Sequence, residues 1–265
     1  MSSKSNIELT KYLTNSNDEI ILSIIEMMDS VFLRKKNKFK KEYKTPEEIP
    51  SQNSDERAVL SSKIVHQLSY FGTHSFTYPI YKFFDGQGVS YKEILRDVLK
   101  RLKKQLGYKK NIPKVATVKD YEFLVCQILM QAQFANKTED QIIEMLEESG
   151  LGKDAIEQSI KEFIKIGAGG GAILKLVKIL GKKTVKEMIQ SMVVWLLAKK
   201  IGKEAAVKFA ERILKKNTQK RIAKIVSGIG WVFLAKDAVD LGKPATRITI
   251  PCVSFISAVR TIESL

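Results

Sequence analysis

Residues 164–174 read IKIGAGGGAIL, and Gly167, Gly169 and Ala172 satisfy the G-x-G-x-x-G/A spacing of a dinucleotide-binding loop. In such a loop the glycines let the backbone close on a pyrophosphate held at a helix N-terminus. That chemistry needs a strand before the loop, a helix after it and parallel βαβ neighbours. Here Ile156, Ile160, Phe163 and Ile164 carry one helical face straight into the cluster, and no second βαβ unit can be drawn. Glu187 stands about 20 residues on, the distance at which an acidic residue would bind ribose, but inside an amphipathic helical run. No G-x-x-x-x-G-K-[ST] loop occurs either. Gly167, Gly169, Gly170 and Gly171 therefore read as a hinge, or as small residues that let helices approach closely.

Other reactive types are thinly spread. His66 lies on the helix-like SSKIVHQLSYF, and His74 in an FGTHS turn beside Ser75, with Asp85 further along. A hydrolytic triad needs nucleophile, base and orienting acid to converge, and no spacing here supplies that. Two cysteines and two histidines in dissimilar contexts make a poor four-ligand zinc set. Cys126 and Cys252 both sit in apolar runs and read as reduced core thiols. Glu144, Glu147 and Glu148 look like the wet face of a helix. The sequence reads as a non-enzyme with no catalytic, cofactor-binding or metal-binding residues and no cofactor.

The elements that must position these residues are helical almost throughout. Ile7, Leu9, Leu13, Ile20, Ile21, Ile24, Ile25 and Met28 recur at helical spacing, broken at Asn15–Asp18 by a cap or turn. Residues 35–55, KKNKFKKEYKTPEEIPSQNSD, are polar and proline-bearing and read as an exposed linker. Ser54 or Asp55 opens a helix to about Tyr70, and FGTHSFTYPIYKFFDGQGV then holds no single helical period. Ser90 and Glu93 form a capping box ahead of a helix with Ile94, Leu95, Val98, Leu99, Leu102 and Leu106 on one side, stopped by Gly107. Thr117 to about Ala135 reads as an amphipathic helix carrying Phe123, Leu124, Ile128 and Leu129, and Thr138 with Gln141 as a further capping box. Only RITIPCV looks β-branched, and Pro251 interrupts it. The expected fold is all-α: a multi-helix bundle with a short N-terminal helical unit (1–34), a linker (35–54), a central helical region (55–165) and a basic, apolar C-terminal helical region (166–265).

Charge separates the halves. The chain of 265 residues carries +16, of which +13 falls on residues 166–265 (19 Lys+Arg, 6 Asp+Glu) and +3 on the first 165. Three apolar runs, 188–198, 225–235 and 248–259, lie in the basic half with Lys or Arg flanking each. None reaches the ~18–20 residues of an ordinary membrane span. Such runs suit core helices, or helices that lie in an interface while lysine stems cover apolar surface. Trp195, Lys199, Lys200, Lys203, Lys215, Lys216 and Trp231 are the expected membrane or partner surface. The partner is expected to be an anionic membrane surface or another protein, with a homo-oligomer among the outcomes. Nucleic acid ranks lower, because no aromatic residues interleave the lysine clusters as a stacking platform requires. The start, MSSKSNIELTKYL, has no apolar signal region, so the expected location is cytoplasmic, peripheral to the inner membrane.

The stretch QLSYFGTHSFTYPIYKFFDGQGVSYKEILRDVLKRLK resembles the middle of the bacterial YaaW-like family through Phe71, Gly72, Ser75, Gly86, Gly88, Tyr91, Ile94, Leu95, Asp97, Val98, Arg101 and Leu102. The end, ATRITIPCVSFISAVR, is similar to that family's Tyr-Arg-Val-Thr-Ile-Pro-Ala-Val segment through Arg247, Thr249, Ile250, Pro251 and Val253, although Ala245 departs from its tyrosine-like neighbourhood. IELTKYLTNSNDEIILSIIEMM is similar to the short N-terminal domain often attached to it, whereas 110–165 matches only in helical character. Some members are labelled ubiquinol–cytochrome c chaperone-like. The resemblance implies a helical bacterial protein and carries over no catalytic residue. It marks Phe71, Gly72, Tyr91, Asp97, Arg101, Arg247, Thr249 and Pro251 as structural. Asp97 and Arg101, four apart on one face, are expected to pair, with Asp97 also a candidate partner for Arg247. The leading expectation is a membrane-engaging or self-associating stress or defence effector; a chaperone-like or scaffold module is the alternative.

Overall fold

The computed structural model describes residues 3–30, 43–75, 89–105, 112, 117–134, 140, 143, 177–178, 180–186, 188–190 and 244–265. Among them every regular element is helical: α1 (Lys4–Asn15), α2 (Asp18–Ser30), a single 3-10 turn (Pro46–Glu48), α3 (Asp55–Ser75), α4 (Tyr91–Gln105), α5 (Val118–Phe134) and α6 (Pro244–Ser264). The protein is an all-α multi-helix bundle.

Local chemistry sets the helix ends. Ser3 caps α1 by accepting from the Asn6 amide at 3.3 Å. The break at Asn15–Asp18 is a true boundary: Ser16 is extended, and Asn17 Oδ1 accepts from the Ile20 amide at 2.9 Å to open α2. Ser54 Oγ accepts from the Arg57 amide at 3.1 Å at the start of α3. The Ser90–Glu93 box forms on α4, with the Glu93 amide on Ser90 Oγ at 3.3 Å and the Ser90 amide on Glu93 Oε2 at 3.1 Å. Thr117 and Asp120 make the same reciprocal pair on α5, and those hydrogen bonds hold the Asp120 carboxyl below its ordinary range.

Three elements differ from the sequence reading. First, α3 does not stop near Tyr70 but runs through Phe71 and Gly72 to Ser75, so the glycine is helical and not part of a turn. A Cβ built there would lie 2.8 Å from Ile94 Cγ1; the missing side chain lets α3 approach α4. Second, RITIPCV is not strand-like: it lies within α6 with Pro251 inside the helix. Pro251 has no N–H to offer the Arg247 carbonyl, and β-branched residues tolerate a helix when packing demands it. Third, α5 is not amphipathic in effect, since residues 121–130 are all buried. Residues 248–259 of α6 are likewise buried on every side, as expected of helices at the centre of a bundle.

Helix α6 packs against α2, α3, α4 and α5, while α1 packs on α3 and α4 and α4 on α5. The third apolar run therefore fills the core. Within the stretch read as linker, Ile49 is buried in that core, and the 3-10 turn packs on α2. No helix among the described residues is long and apolar enough to cross a membrane. Gly181, with φ +80°, ends one helical segment and opens the next: its amide bonds the Val177 carbonyl at 3.0 Å, and its carbonyl accepts from Val185.

Candidate functional site

Two charged residues interrupt the most deeply buried helices. Glu122 stands one turn into α5, flanked by Tyr121 and Phe123, and Arg260 stands near the end of α6 after twelve uncharged residues, 248–259. The fold brings them together: Arg260 Nε and Glu122 Oε1 form an ion pair at 3.3 Å, and the Glu122 side chain is only 3% exposed. The Tyr91 hydroxyl, from the first residue of α4, donates to the same oxygen at 3.0 Å. The Arg260 guanidinium also lies over the Tyr12 ring of α1, 4.9 Å from its centroid. One turn from Glu122, Cys126 Sγ and Thr261 Oγ1 are 3.5 Å apart. Helices α1, α4, α5 and α6 thus meet at one polar junction inside an apolar core.

Burial sets its electrostatics. It pushes the Glu122 carboxyl up to about 7, against the opposing pull of Arg260 and the Tyr91 hydroxyl. Burial raises the Tyr91 phenol well above its ordinary value, and Glu122 adds to that. Tyr12 is raised by burial and by Glu263. Cys126 is pushed up to about 12, and Cys252 is raised by burial alone. Both thiols are free and buried, as their apolar settings imply. Thiols held this way are poor nucleophiles. Ser257 on α6 faces Tyr91 and draws its phenol slightly down, and Arg260 Nη1 has no hydrogen-bond partner among the described residues. The junction can orient helices and exchange a proton at Glu122. Among the described residues no cluster of three or more His, Cys, Asp or Glu is arranged to hold a metal.

A second buried cation fixes the amino-terminal region. Arg57, fully buried on α3, donates to the Ser16 carbonyl at 2.6 Å and the Pro50 carbonyl at 3.2 Å and pairs with Asp18 at 3.1 Å. It clips the α1–α2 boundary to the segment before α3. Asn6 works similarly at the start of α4: its Oδ1 accepts from the Tyr91 amide at 2.7 Å, and its Nδ2 donates to Ser69 at 3.3 Å. Ser5 Oγ takes the next amide, Lys92, at 3.3 Å.

Of the residues singled out by sequence, Tyr91 belongs to the junction and Gly72 sits against the same helix, α4. Phe71 is buried, with Tyr70 edge-on to it at 5.9 Å. Thr249 and Pro251 lie in the buried part of α6. Asp97 is buried and pairs with Lys100 at 3.0 Å, three residues on, and Arg101 is half-buried on the same helix. His66 is exposed on α3. His74 lies in the last turn of α3 and not in a turn between elements; its side chain, the Arg247 side chain, the hinge glycines Gly167, Gly169, Gly170 and Gly171, and the surface residues Trp195, Lys199, Lys200, Lys203, Lys215, Lys216 and Trp231 lie outside the described residues. Glu122, Arg260, Tyr12, Arg57 and Asn6 were not anticipated. The sequence signal for the first two was slight: Glu122 closely follows Lys119 and Asp120 at the start of an apolar stretch, and Arg260 closes the run 248–259.

The geometry defines an all-α protein held together by a buried carboxylate–guanidinium–phenol junction. Along its length the chain is similar to the UPF0174 protein of Helicobacter pylori (strain J99), 26% identical over 257 residues that cover 96% of this chain and 90% of that one. The relative is a bacterial protein of an uncharacterised family. No protein-family model matches the chain, and no solved structure matches it.

Proposed function

We propose that this chain is a non-enzymatic helical protein of the YaaW-like kind that engages anionic membrane surfaces, or self-associates on them, through its basic apolar C-terminal half. The observation that carries the reading is the charge asymmetry, +13 over residues 166–265 against +3 over the rest. The burial of 248–259 narrows the proposal to residues 191–243, which hold Trp195 and Trp231 and 12 Lys+Arg against 4 Asp+Glu. Each lysine or arginine near an anionic leaflet contributes about 1 kcal/mol, and tryptophan favours the headgroup level. Such an affinity fits a cytoplasmic protein peripheral to the inner membrane and acting in stress or defence.

Flotation of the full-length protein with vesicles tests this. Co-flotation with phosphatidylglycerol-containing vesicles, weakened by salt and lost on changing Lys199, Lys200, Lys203, Lys215 and Lys216 to Glu, is the expected result. Protein that stays behind at low salt with anionic and neutral vesicles alike overturns it. Stoichiometric capture of one protein without lipid dependence would instead favour the scaffold reading, and salt-sensitive retention on nucleic acid the third.

A further inference from the structure

The junction around Glu122 is built asymmetrically. One carboxylate oxygen serves both the Tyr91 hydroxyl and Arg260 Nε. The cation is not dedicated to it: Arg260 is 21% exposed on its side chain, lies over the Tyr12 ring and shares α6 with Glu263. Among the described residues, the other charged groups acting on Glu122 are Glu8 from α1, which opposes its ionisation, and Lys119 on its own helix, which favours it. Tyr91 comes from α4, and Cys126 lies a turn along α5. A carboxyl buried this deeply, with a cation held partly elsewhere, is incompletely compensated when ionised.

We propose that Glu122 is a proton-dependent latch on α6: proton uptake at this carboxyl tightens the docking of α6 against α1, α4 and α5, and proton release to water loosens it. The neutral acid keeps a hydrogen bond with the Tyr91 hydroxyl, and Arg260 keeps the Tyr12 face. Release of the proton places a charge in the core that, among the described residues, Arg260, the Tyr91 phenol and, more weakly, Lys119 offset. A carboxyl whose pKa is raised on folding binds its proton more tightly in the folded state. Its contribution is fully present below the ordinary value and is lost as pH rises through the folded one.

Urea unfolding of the full-length protein at pH 5.5 and 8.5, compared with Glu122→Gln, reads the latch directly. With a folded value of about 7 against an ordinary 4.5, the wild-type folding constant should fall by about 30-fold more than the variant's over that interval. Infrared spectroscopy of the native wild type adds a readout that needs no unfolding: a protonated-carboxyl band should disappear with a midpoint near neutrality. In Tyr91→Phe, which lacks the hydroxyl that favours the ionised form, that midpoint should move up. Equal pH profiles for wild type and Glu122→Gln overturn the proposal. If Glu122→Gln does not fold, the absence of a carboxyl band titrating between pH 5.5 and 8.5 in the wild type overturns it as well.

Discussion

Replacing Gly72 with Ala tests whether α3 and α4 touch as closely as the structure has them. Gly72 lies inside α3 with no positive φ, so backbone strain plays no part. By helix propensity alone, Ala should stabilise by about 1 kcal/mol. Against that, the new methyl would meet Ile94 Cγ1 at 2.8 Å and Cδ1 at 2.9 Å. Ile94 is fully buried, and a β-branched side chain in a helix is stiff about χ1. Cδ1 can swing aside, but Cγ1 moves only with the rotamer or the backbone. Overpacking of this kind costs about 1–3 kcal/mol, so Gly72→Ala should destabilise by about 1–2 kcal/mol despite its better propensity. The sign should reverse when Ile94 is also Ala, because both opposing atoms are gone and the new methyl fills part of the space. Urea unfolding followed by far-ultraviolet circular dichroism, run on both singles and the double, gives the coupling. About 2 kcal/mol of favourable interaction is expected. A Gly72→Ala variant as stable as the wild type, or additivity in the cycle, would refute the close approach.

Three other outcomes follow from buried contacts. Arg57→Ala should lower stability by about 3–4 kcal/mol, since it strips the Ser16 and Pro50 carbonyls of a charged donor; Arg57→Lys should recover only part, and denaturant midpoints distinguish the two. Asn6→Ala should cost about 1–2 kcal/mol and should speed amide hydrogen exchange at Tyr91, whose N–H loses its acceptor. Cys126 and Cys252, buried and raised above the ordinary thiol range, should resist a thiol reagent at pH 8 in the native protein and react at the rate of opening; immediate labelling would contradict their placement.

Much of the helical framework was legible because its signals are local. Asn17, Ser54, Ser90 with Glu93, and Thr117 each announce a helix start within four residues, and the apolar face of α4 follows its spacing. Gly72 misled because a glycine after an aromatic residue reads as a turn, whereas its use depends on Ile94, 22 residues away. The β-branched look of RITIPCV misled more than Pro251 did, since the proline already argued against a strand there; burial against four neighbours outweighs the hydrogen bond it removes from α6. The Glu122–Arg260 pair spans 138 positions. Nothing in local periodicity joins them: Glu122 follows Lys119 and Asp120 at the start of an apolar stretch, and Arg260 closes the run 248–259. Asn6 carries no local signal of its role, because the amide it accepts from lies 85 positions away.

The central place of α6 has a kinetic consequence. Its partners α2 to α5 lie between residues 18 and 134, while α6 itself begins at Pro244. Closing so long a stretch of chain costs entropy that the docked contacts repay only once they form together. The earlier helices must therefore wait with their α6-facing surfaces bare, and α6 with its apolar run 248–259 uncovered. A chain arranged this way folds late at its centre, and while it waits it is open to capture by chaperones or by other copies of itself.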